Sequence, residues 1–225
     1  MEDKYIVGVD IGGTWVRVAL SNQNLDENQF KIKKVRTPKE TKFSISNAVC
    51  EMLLELLSEN NVSLHQLIGM GLASAGPLDM QKGELFNNVN LGFKEIPLKK
   101  PIQSKFPNIP IYLANDCNAA VLGVHYFEAE EIEKENIVYI TISTGIGGGV
   151  ICNGHLLLGK EGIAAEVGHG TVELNSKVQC NCGAYGCWEA YSSGTGVKNR
   201  TLNALKEGKI HAEVLLKNVE NDVSK

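Results

Sequence analysis

The sequence predicts an α/β fold that contains two related glycine-turn hairpins. Short apolar strands alternate with helices along the chain, and a strand–glycine turn–strand pattern occurs near residue 12 and again near residue 147. Glycine is the third indication, since it makes up 23 of the 225 residues and more than half of these lie between Gly145 and Gly196. The backbone of that region is therefore expected to turn tightly or to approach a ligand closely.

The composition is that of a globular protein with a sizeable core, at 43% hydrophobic and 21% charged residues. A formal net charge of −4 provides no basic surface, so we expect neither a nucleic acid nor an anionic membrane as a partner. No apolar stretch approaches the roughly 20 residues of a membrane span, and the first residues do not resemble a signal peptide. We therefore expect a soluble cytoplasmic protein.

The first half of the chain is expected to form strands at residues 5–9, 15–20, 30–37 and 68–73. Apolar residues with helical spacing predict a helix over residues 46–60; they are Val49, Met52, Leu53, Leu56 and Leu57. The segment 83–110 is rich in Pro and Gly and has little periodicity, so we expect mostly loop with a short helix near Ile102.

The second half begins with a strand at residues 111–114 and a helix at 116–126. Strands are expected next at 138–143 and 149–152, then an irregular glycine-rich stretch, and finally a helix over 196–216. We predict two related lobes, 1–114 and 115–225.

Both glycine turns have the composition of a phosphate site. In Asp10-Ile11-Gly12-Gly13-Thr14, paired glycines would let backbone N–H groups point into one concavity, and the aspartate could hold a hydrated magnesium ion. Ser143-Thr144-Gly145-Ile146-Gly147-Gly148-Gly149 is the second such loop. A plain hairpin turn and a glycine bulge are the simpler interpretations. Neither loop has the P-loop or dinucleotide spacing.

Asn115-Asp116 lies where a strand ends and a helix begins, which is where open α/β sheets bind ligands. Asp116 at this position could be a simple helix N-cap. The functional alternative makes it a general base for a hydroxyl nucleophile.

A histidine and three closely spaced cysteines indicate a metal site. His169, Cys180, Cys182 and Cys187 supply one imidazole nitrogen and three thiolates, which is a complete tetrahedral set for structural zinc. Reduced thiols beside an exposed histidine remain the alternative. Glu189 follows the last cysteine, and the same loop could carry it into a pocket.

Together these residues resemble the ROK family of sugar kinases and repressors, which shares the ATPase core of actin, Hsp70 and hexokinase. Five motifs appear in the family order: Asp10-Ile-Gly-Gly-Thr, Asn90-Leu91, Asn115-Asp116, Gly145-Ile-Gly-Gly-Gly, and Glu166-Val-Gly-His with the cysteines and Glu189.

The resemblance implies an ATP-dependent hexose kinase with Mg²⁺ and structural Zn²⁺, in which Asp116 is the catalytic base. It implies sugar contacts from Asn90, Asn115, Asp116, Glu166, His169 and Glu189. It assigns the ATP phosphates to the two glycine loops, through Asp10, Gly12, Gly13, Thr14, Thr144, Gly145 and Gly147. The zinc ligands would be His169, Cys180, Cys182 and Cys187, and metal removal would loosen the sugar contacts while leaving the phosphate loops unchanged.

The chain departs from the family pattern at three places. Ala75-Gly76-Pro77 replaces Pro-Gly-Pro, and Phe93 stands where a Trp is common, so both changes touch the expected sugar pocket. Family members also continue past Lys225 with elements that complete the adenosine pocket, so the second lobe is expected to be incomplete as written.

Glucose is the expected substrate and a homodimer the expected assembly. N-acetylmannosamine, N-acetylglucosamine or fructose kinases are alternatives, as is a non-catalytic sugar-binding or regulatory ROK protein.

Overall fold

Five strands form the largest sheet. In the computed structural model, which describes residues 3–25, 30–88, 93–160 and 162–210, the strands are β1 (Tyr5–Ile11), β2 (Trp15–Asn22), β3 (Lys31–Arg36), β4 (Leu67–Ser74) and β8 (Ile111–Asn115). They run in the order β3-β2-β1-β4-β8. Neighbours are antiparallel among β1, β2 and β3, and parallel from β1 to β4 and from β4 to β8. Parallel pairs need a crossover, which helices supply here.

The helix α1 (Ser44–Glu59) supplies the first crossover and confirms the predicted amphipathic segment. All five residues of the predicted stripe are buried: Val49, Met52, Leu53, Leu56 and Leu57. They join one core cluster with the inward side chains of β1, β2 and β4. Each such side chain stabilises the fold by about 1.5–3 kcal/mol relative to its exposed state.

Two strands of a small antiparallel sheet lie in the segment 83–110, so the prediction that this segment is mostly loop was wrong. The short helix predicted near Ile102 is confirmed. The sheet consists of β5 (Leu78–Asp79), β6 (Glu84–Asn88) and β7 (Phe93–Pro97), and the helix α2 (Lys99–Lys105) follows it. Leu85 and Ile96 pair across two of the strands and are both buried. Gly83 precedes β6 and Pro97 ends β7, so these residues mark the ends of strands and are compatible with the sheet.

The predicted strand–helix junction is confirmed, because α3 (Asp116–Phe127) begins directly after β8. A second three-stranded sheet follows with the order β11-β10-β9, from β9 (Asn136–Ile142), β10 (Ile146–Cys152) and β11 (His155–Leu156). Since β10 begins at Ile146, Gly147 to Gly149 belong to the strand and not to a loop. A Cβ at Gly149 would stand 2.4 Å from the Cys117 carbonyl oxygen, so this position needs glycine for close packing.

The remaining elements are short. They are a 3₁₀ turn at Val167–His169, α4 (Trp188–Ser192) and α5 (Gly194–Lys206). The final helix predicted over 196–216 is confirmed up to Lys206, but it ends there, since residues 207–210 form turns and bends. The remaining part of the prediction, 211–216, lies outside the described residues. Within the described residues, no helix combines the length and apolar character that crossing a bilayer requires.

The chain forms two compact units. One comprises Met1–Val138 with Gly149–Ala164, and the other comprises Tyr139–Gly148 with Ala165–Lys225. These units divide the chain at other places than the predicted lobes 1–114 and 115–225, and the lobe assignment stays a prediction.

Candidate functional site

The turn of the first glycine hairpin contains fewer residues than the sequence indicated. Asp10 belongs to β1, so the turn consists of Gly12, Gly13 and Thr14. The Gly12 N–H donates to the Trp15 carbonyl at 2.9 Å, which closes the turn. Within the described part of the chain, no hydrogen-bond acceptor lies against the N–H groups of Gly13 and Thr14. Two consecutive backbone donors are therefore available to an anion.

Thr37 holds this turn in place from the end of β3. Its hydroxyl donates to the Gly12 carbonyl at 2.6 Å, and its N–H donates to the Thr14 carbonyl at 3.0 Å. The residue is buried, and Pro38 follows it. Sequence reasoning missed Thr37, although a polar residue between a strand and a proline was a usable signal.

Asp10 is paired with Arg17, another residue that sequence reasoning missed. The two residues are register partners in β1 and β2, and the guanidinium lies 2.5 Å from the carboxylate. Both side chains are about half exposed, so the pair contributes little to stability. A magnesium ion held through water at Asp10 would have Arg17 as a neighbour.

The junction of β8 and α3 shows which residue caps the helix, and this bears on the two roles that were considered for Asp116. Asn115 is the N-cap of α3, and its side-chain oxygen accepts the N–H groups of Cys117 at 2.9 Å and Asn118 at 3.4 Å. Asp116 is the first helical residue, and its carboxylate accepts the Cys117 N–H at 2.9 Å. The interpretation of Asp116 as the N-cap was wrong, because the neighbouring asparagine already fills that role.

The second glycine hairpin turns at Ser143, Thr144 and Gly145, which connect β9 to β10. The Ser143 N–H donates to the Gly145 carbonyl at 2.9 Å, and the Ile146 N–H donates to Glu189 Oε2 at 2.8 Å. Among the described residues, the N–H groups of Thr144 and Gly145 have no acceptor. This turn thus also presents two consecutive donors.

The four predicted metal ligands come together. The ligand atoms of His169, Cys180, Cys182 and Cys187 all lie within 4.8 Å of one another. Cys182 Sγ is 3.7 Å from Cys187 Sγ, and Cys180 Sγ is 3.7 Å from His169 Nδ1. A tetrahedral zinc with Zn–S bonds of about 2.3 Å separates its sulfur ligands by about 3.8 Å. Two distances in the cluster therefore match a tetrahedral zinc site, and the other ligand atoms lie within 4.8 Å of one another.

The loop that carries these cysteines is a tight turn. The Cys180 N–H donates to the Ala184 carbonyl at 2.8 Å, and the Gly183 N–H donates back to Cys180 at 2.9 Å. Gly186 has φ +77° and lies against the Glu173 carbonyl, a position that only glycine can occupy without strain.

The thiols differ in their acidity. Burial raises the pKa of Cys180 to about 12 and also raises the pKa of Cys187. The Ala184 N–H, which donates to the Cys182 sulfur, lowers the pKa of that thiol. Without a cation, the two buried thiols keep their protons, so a metal that binds here must displace them.

Carboxylates flank the cluster on two sides. His169 Nε2 lies 3.8 Å from Glu166 Oε2, while its Nδ1 faces Cys180. Glu189 Oε1 lies 3.8 Å from Cys180 Sγ. A cavity of about 810 Å³ opens beside Cys180 and Glu189 and is lined on its other side by polar residues of α5. A polar ligand can therefore reach Glu189 from this cavity.

The structure brings together one part of the predicted sugar set. Glu166, His169 and Glu189 lie around the cluster in one compact unit, whereas Asn115 and Asp116 belong to the other. Asn90 lies outside the described residues. These sugar contacts stay predictions.

The fold and the motifs define a class: an α/β protein with two glycine hairpins, a strand–helix aspartate and a His/Cys₃ cluster. The ROK family model matches residues 6–225, and the chain belongs to the ROK family.

Two relatives illustrate the range of that family. The chain is 34% identical to a glucokinase of Halalkalibacterium halodurans over 212 residues, which cover 93% of the chain and 62% of the relative. It is also 34% identical to a xylose repressor of Bacillus subtilis, with 84% of the chain and 48% of the relative covered. The chain thus spans about half to two thirds of the length of these relatives.

Solved structures give the same result for the fold. The ROK hexokinase from Thermus thermophilus superposes with a TM-score of 0.76 at 31% identity, covering 90% of this chain and 64% of that one. A ROK family glucokinase from Streptomyces griseus, in complex with glucose and AMPPNP, has a TM-score of 0.69 at 30% identity, covering 96% and 65%. The fold is therefore the hexokinase-like α/β fold that the resemblance implied.

Proposed function

We propose that this protein transfers the γ-phosphoryl group of ATP to the 6-hydroxyl of a hexose, with glucose as the first candidate. Family membership and the similarity to glucokinases support the proposal. The observation that carries it is the strand–helix junction. Because Asn115 caps α3, the half-buried Asp116 carboxylate is not required for capping and can act as a base.

In the proposed reaction, the sugar hydroxyl oxygen attacks the γ-phosphorus while Asp116 accepts the hydroxyl proton. A bond forms between that oxygen and phosphorus, the bond to the bridging oxygen breaks, and ADP leaves with the electron pair. The donors of Gly13 and Thr14, and those of Thr144 and Gly145, would stabilise the phosphate charge. A magnesium ion near Asp10 would neutralise part of it. Gly12 in the first turn and Gly147 at the start of β10 would also lie against the phosphates.

The sugar hydroxyls would be held by Asn90, Asn115, Asp116, Glu166, His169 and Glu189. Carboxylates accept hydrogen bonds from hydroxyl groups, and an asparagine side chain can both donate and accept them. N-acetylmannosamine, N-acetylglucosamine and fructose remain alternative substrates within the same class.

The His169, Cys180, Cys182 and Cys187 cluster would hold a zinc ion. Four protein ligands fill a tetrahedral shell and leave no position for substrate, so the ion would have a structural role. A cytoplasmic location is part of the proposal, and thiolate ligands that need a reducing compartment and ATP as the phosphoryl donor would both support it. A homodimer stays a prediction.

A second candidate is a sugar-binding regulator without kinase activity. The observation that favours it is the 34% identity to the xylose repressor. The two candidates share the sugar contacts and differ in phosphoryl transfer, so a transfer assay separates them.

The test is a panel of hexoses and N-acetylhexosamines with Mg·ATP, applied to this chain and to Asp116→Asn. The amide keeps the shape of the side chain but cannot accept the proton, so kcat should fall by at least ~10²-fold while sugar affinity stays nearly unchanged. Glu51→Gln, the same change at an exposed position of α1, is the matched control and should retain full activity.

Near-normal turnover by Asp116→Asn would contradict the role of this residue. A wild-type chain that binds sugar and AMPPNP but transfers no phosphoryl group would favour the regulator.

A further inference from the structure

Three hydrogen bonds fasten the second glycine hairpin to residues 189–195. The Gly194 N–H donates to the Ser143 carbonyl at 2.8 Å, and the Thr195 N–H donates to the Thr144 carbonyl at 3.2 Å. Glu189 adds the third bond, since its Oε2 accepts the Ile146 N–H at 2.8 Å. The carbonyls of the turn are thereby fixed from outside, and its free N–H groups remain on Thr144 and Gly145.

Glu189 is also attached to the His/Cys cluster. It stands two residues after Cys187, which is fully buried and is the N-cap of α4. Its other oxygen, Oε1, lies 3.8 Å from Cys180 Sγ. A helix of five residues is far too short to hold itself in place, so α4 depends on its surroundings. The cluster holds its start through Cys187, the Trp188 N–H donates to the Gly170 carbonyl at 2.9 Å, and the Tyr191 hydroxyl bonds to Ser176 and Glu173.

Gly145 shows how closely the carboxylate approaches the turn. A Cβ at this position would stand 2.6 Å from Glu189 Oε2, which is closer than a carbon and an oxygen normally approach without a bond. An alanine at position 145 would therefore require the carboxylate at the flexible end of Glu189 to shift.

We infer that Glu189 is a positioning residue for the second glycine hairpin, through which the His/Cys cluster aims the free N–H groups of that turn. The carboxylate fixes the peptide between Gly145 and Ile146, and this sets the direction of the preceding donors. That these donors receive a phosphate rests on the proposed function, whereas the positioning itself does not. The contacts also revise the expectation that metal removal would leave this hairpin unchanged.

The test is a double-mutant cycle with Glu189→Ala and Gly145→Ala, read by amide hydrogen exchange of Ile146 and by calorimetric titration with Mg·AMPPNP. Glu189→Ala removes the acceptor, so Ile146 should exchange about 10-fold faster or more, and AMPPNP should bind about 10-fold more weakly. Gly145→Ala should cause a loss in the same direction and no larger, because the methyl group makes the carboxylate shift away from the Ile146 N–H.

The double variant should be no worse than the worse single variant, since deletion of the carboxylate makes room for the methyl group. Glu189→Gln is the conservative control. Its amide oxygen still accepts the Ile146 N–H, so exchange should stay within about 2-fold of wild type.

Unchanged Ile146 exchange in Glu189→Ala, or additive losses in the double variant, would overturn the inference. If Glu189→Ala does not fold, Gly145→Ala and Glu189→Gln still decide it by the same exchange measurement. If the protein binds no AMPPNP, the exchange cycle tests the positioning while the proposed function fails separately.

Discussion

The two glycine hairpins present the same local chemistry and are supported in different ways. Each offers two consecutive backbone N–H groups, from Gly13 and Thr14 in the first and from Thr144 and Gly145 in the second. Thr37, at the end of a strand of the five-stranded sheet, holds the first turn. Residues 189–195 hold the second. The same motif can therefore depend on different parts of a protein.

The two hairpins also differ in how their apolar side chains are buried. The strands of the first hairpin place Val9, Ile11 and Val16 in the main core, each at most 3% exposed. On β9, before the second hairpin, Ile140 and Ile142 are 44% and 57% exposed, while β10 after it buries Ile146 and Ile151 outside the main core cluster. The buried cluster near that hairpin is made of Cys180, Cys187 and Ala190. We expect the second hairpin to depend on the metal and the first to depend on the apolar core.

Cys187→Ser should give the largest difference between the hairpins. Loss of a buried ligand should lower the zinc content from near one ion per chain towards zero, and thermal stability should fall because a structural zinc supplies folding free energy. Elemental analysis and calorimetry check both effects. Cys152→Ser, at an exposed cysteine outside the cluster, is the control and should leave both values unchanged. Full zinc content in Cys187→Ser would remove this residue from the ligand set.

Thr37→Val should give a smaller effect, confined to the first hairpin. The substitution keeps the shape of the side chain but removes the hydroxyl that donates to Gly12, at a cost of about 1 kcal/mol in the free energy of unfolding. Chemical denaturation measures this loss, and zinc content should stay at the wild-type value. Thr37→Ser retains the donor and should recover most of the stability. A Thr37→Val variant with lowered zinc content would contradict the expectation that Thr37 supports the first hairpin independently of the His/Cys cluster.

The sequence predicted those elements that are encoded by the spacing of residues within a short segment. The helical spacing of Val49, Met52 and Leu53 identified α1, and the spacing of three cysteines identified the ligand cluster. The strands β6 and β7 were missed because they are five residues long and bounded by Gly83 and Pro97, which look like loop residues in sequence.

Other features depend on contacts that no local pattern contains. Asn115 and Asp116 are both good N-cap residues, so sequence alone could not decide which of them caps α3. The bond from Thr37 to Gly12 spans 25 positions, and the bond from Ile146 to Glu189 spans 43. Such pairs are set by how the strands and turns pack, which a motif does not reveal.

We expect both hairpins to receive the phosphates and only the second hairpin to depend on the metal. Residue-resolved amide exchange with and without Mg·AMPPNP, before and after chelation of zinc, measures both properties. We predict that the nucleotide slows exchange at Gly13, Thr14, Thr144 and Gly145 in the zinc-loaded protein. After chelation, the protection should persist at Gly13 and Thr14 and be lost at Thr144 and Gly145. Protection at neither hairpin, or equal protection at both after chelation, would contradict this expectation.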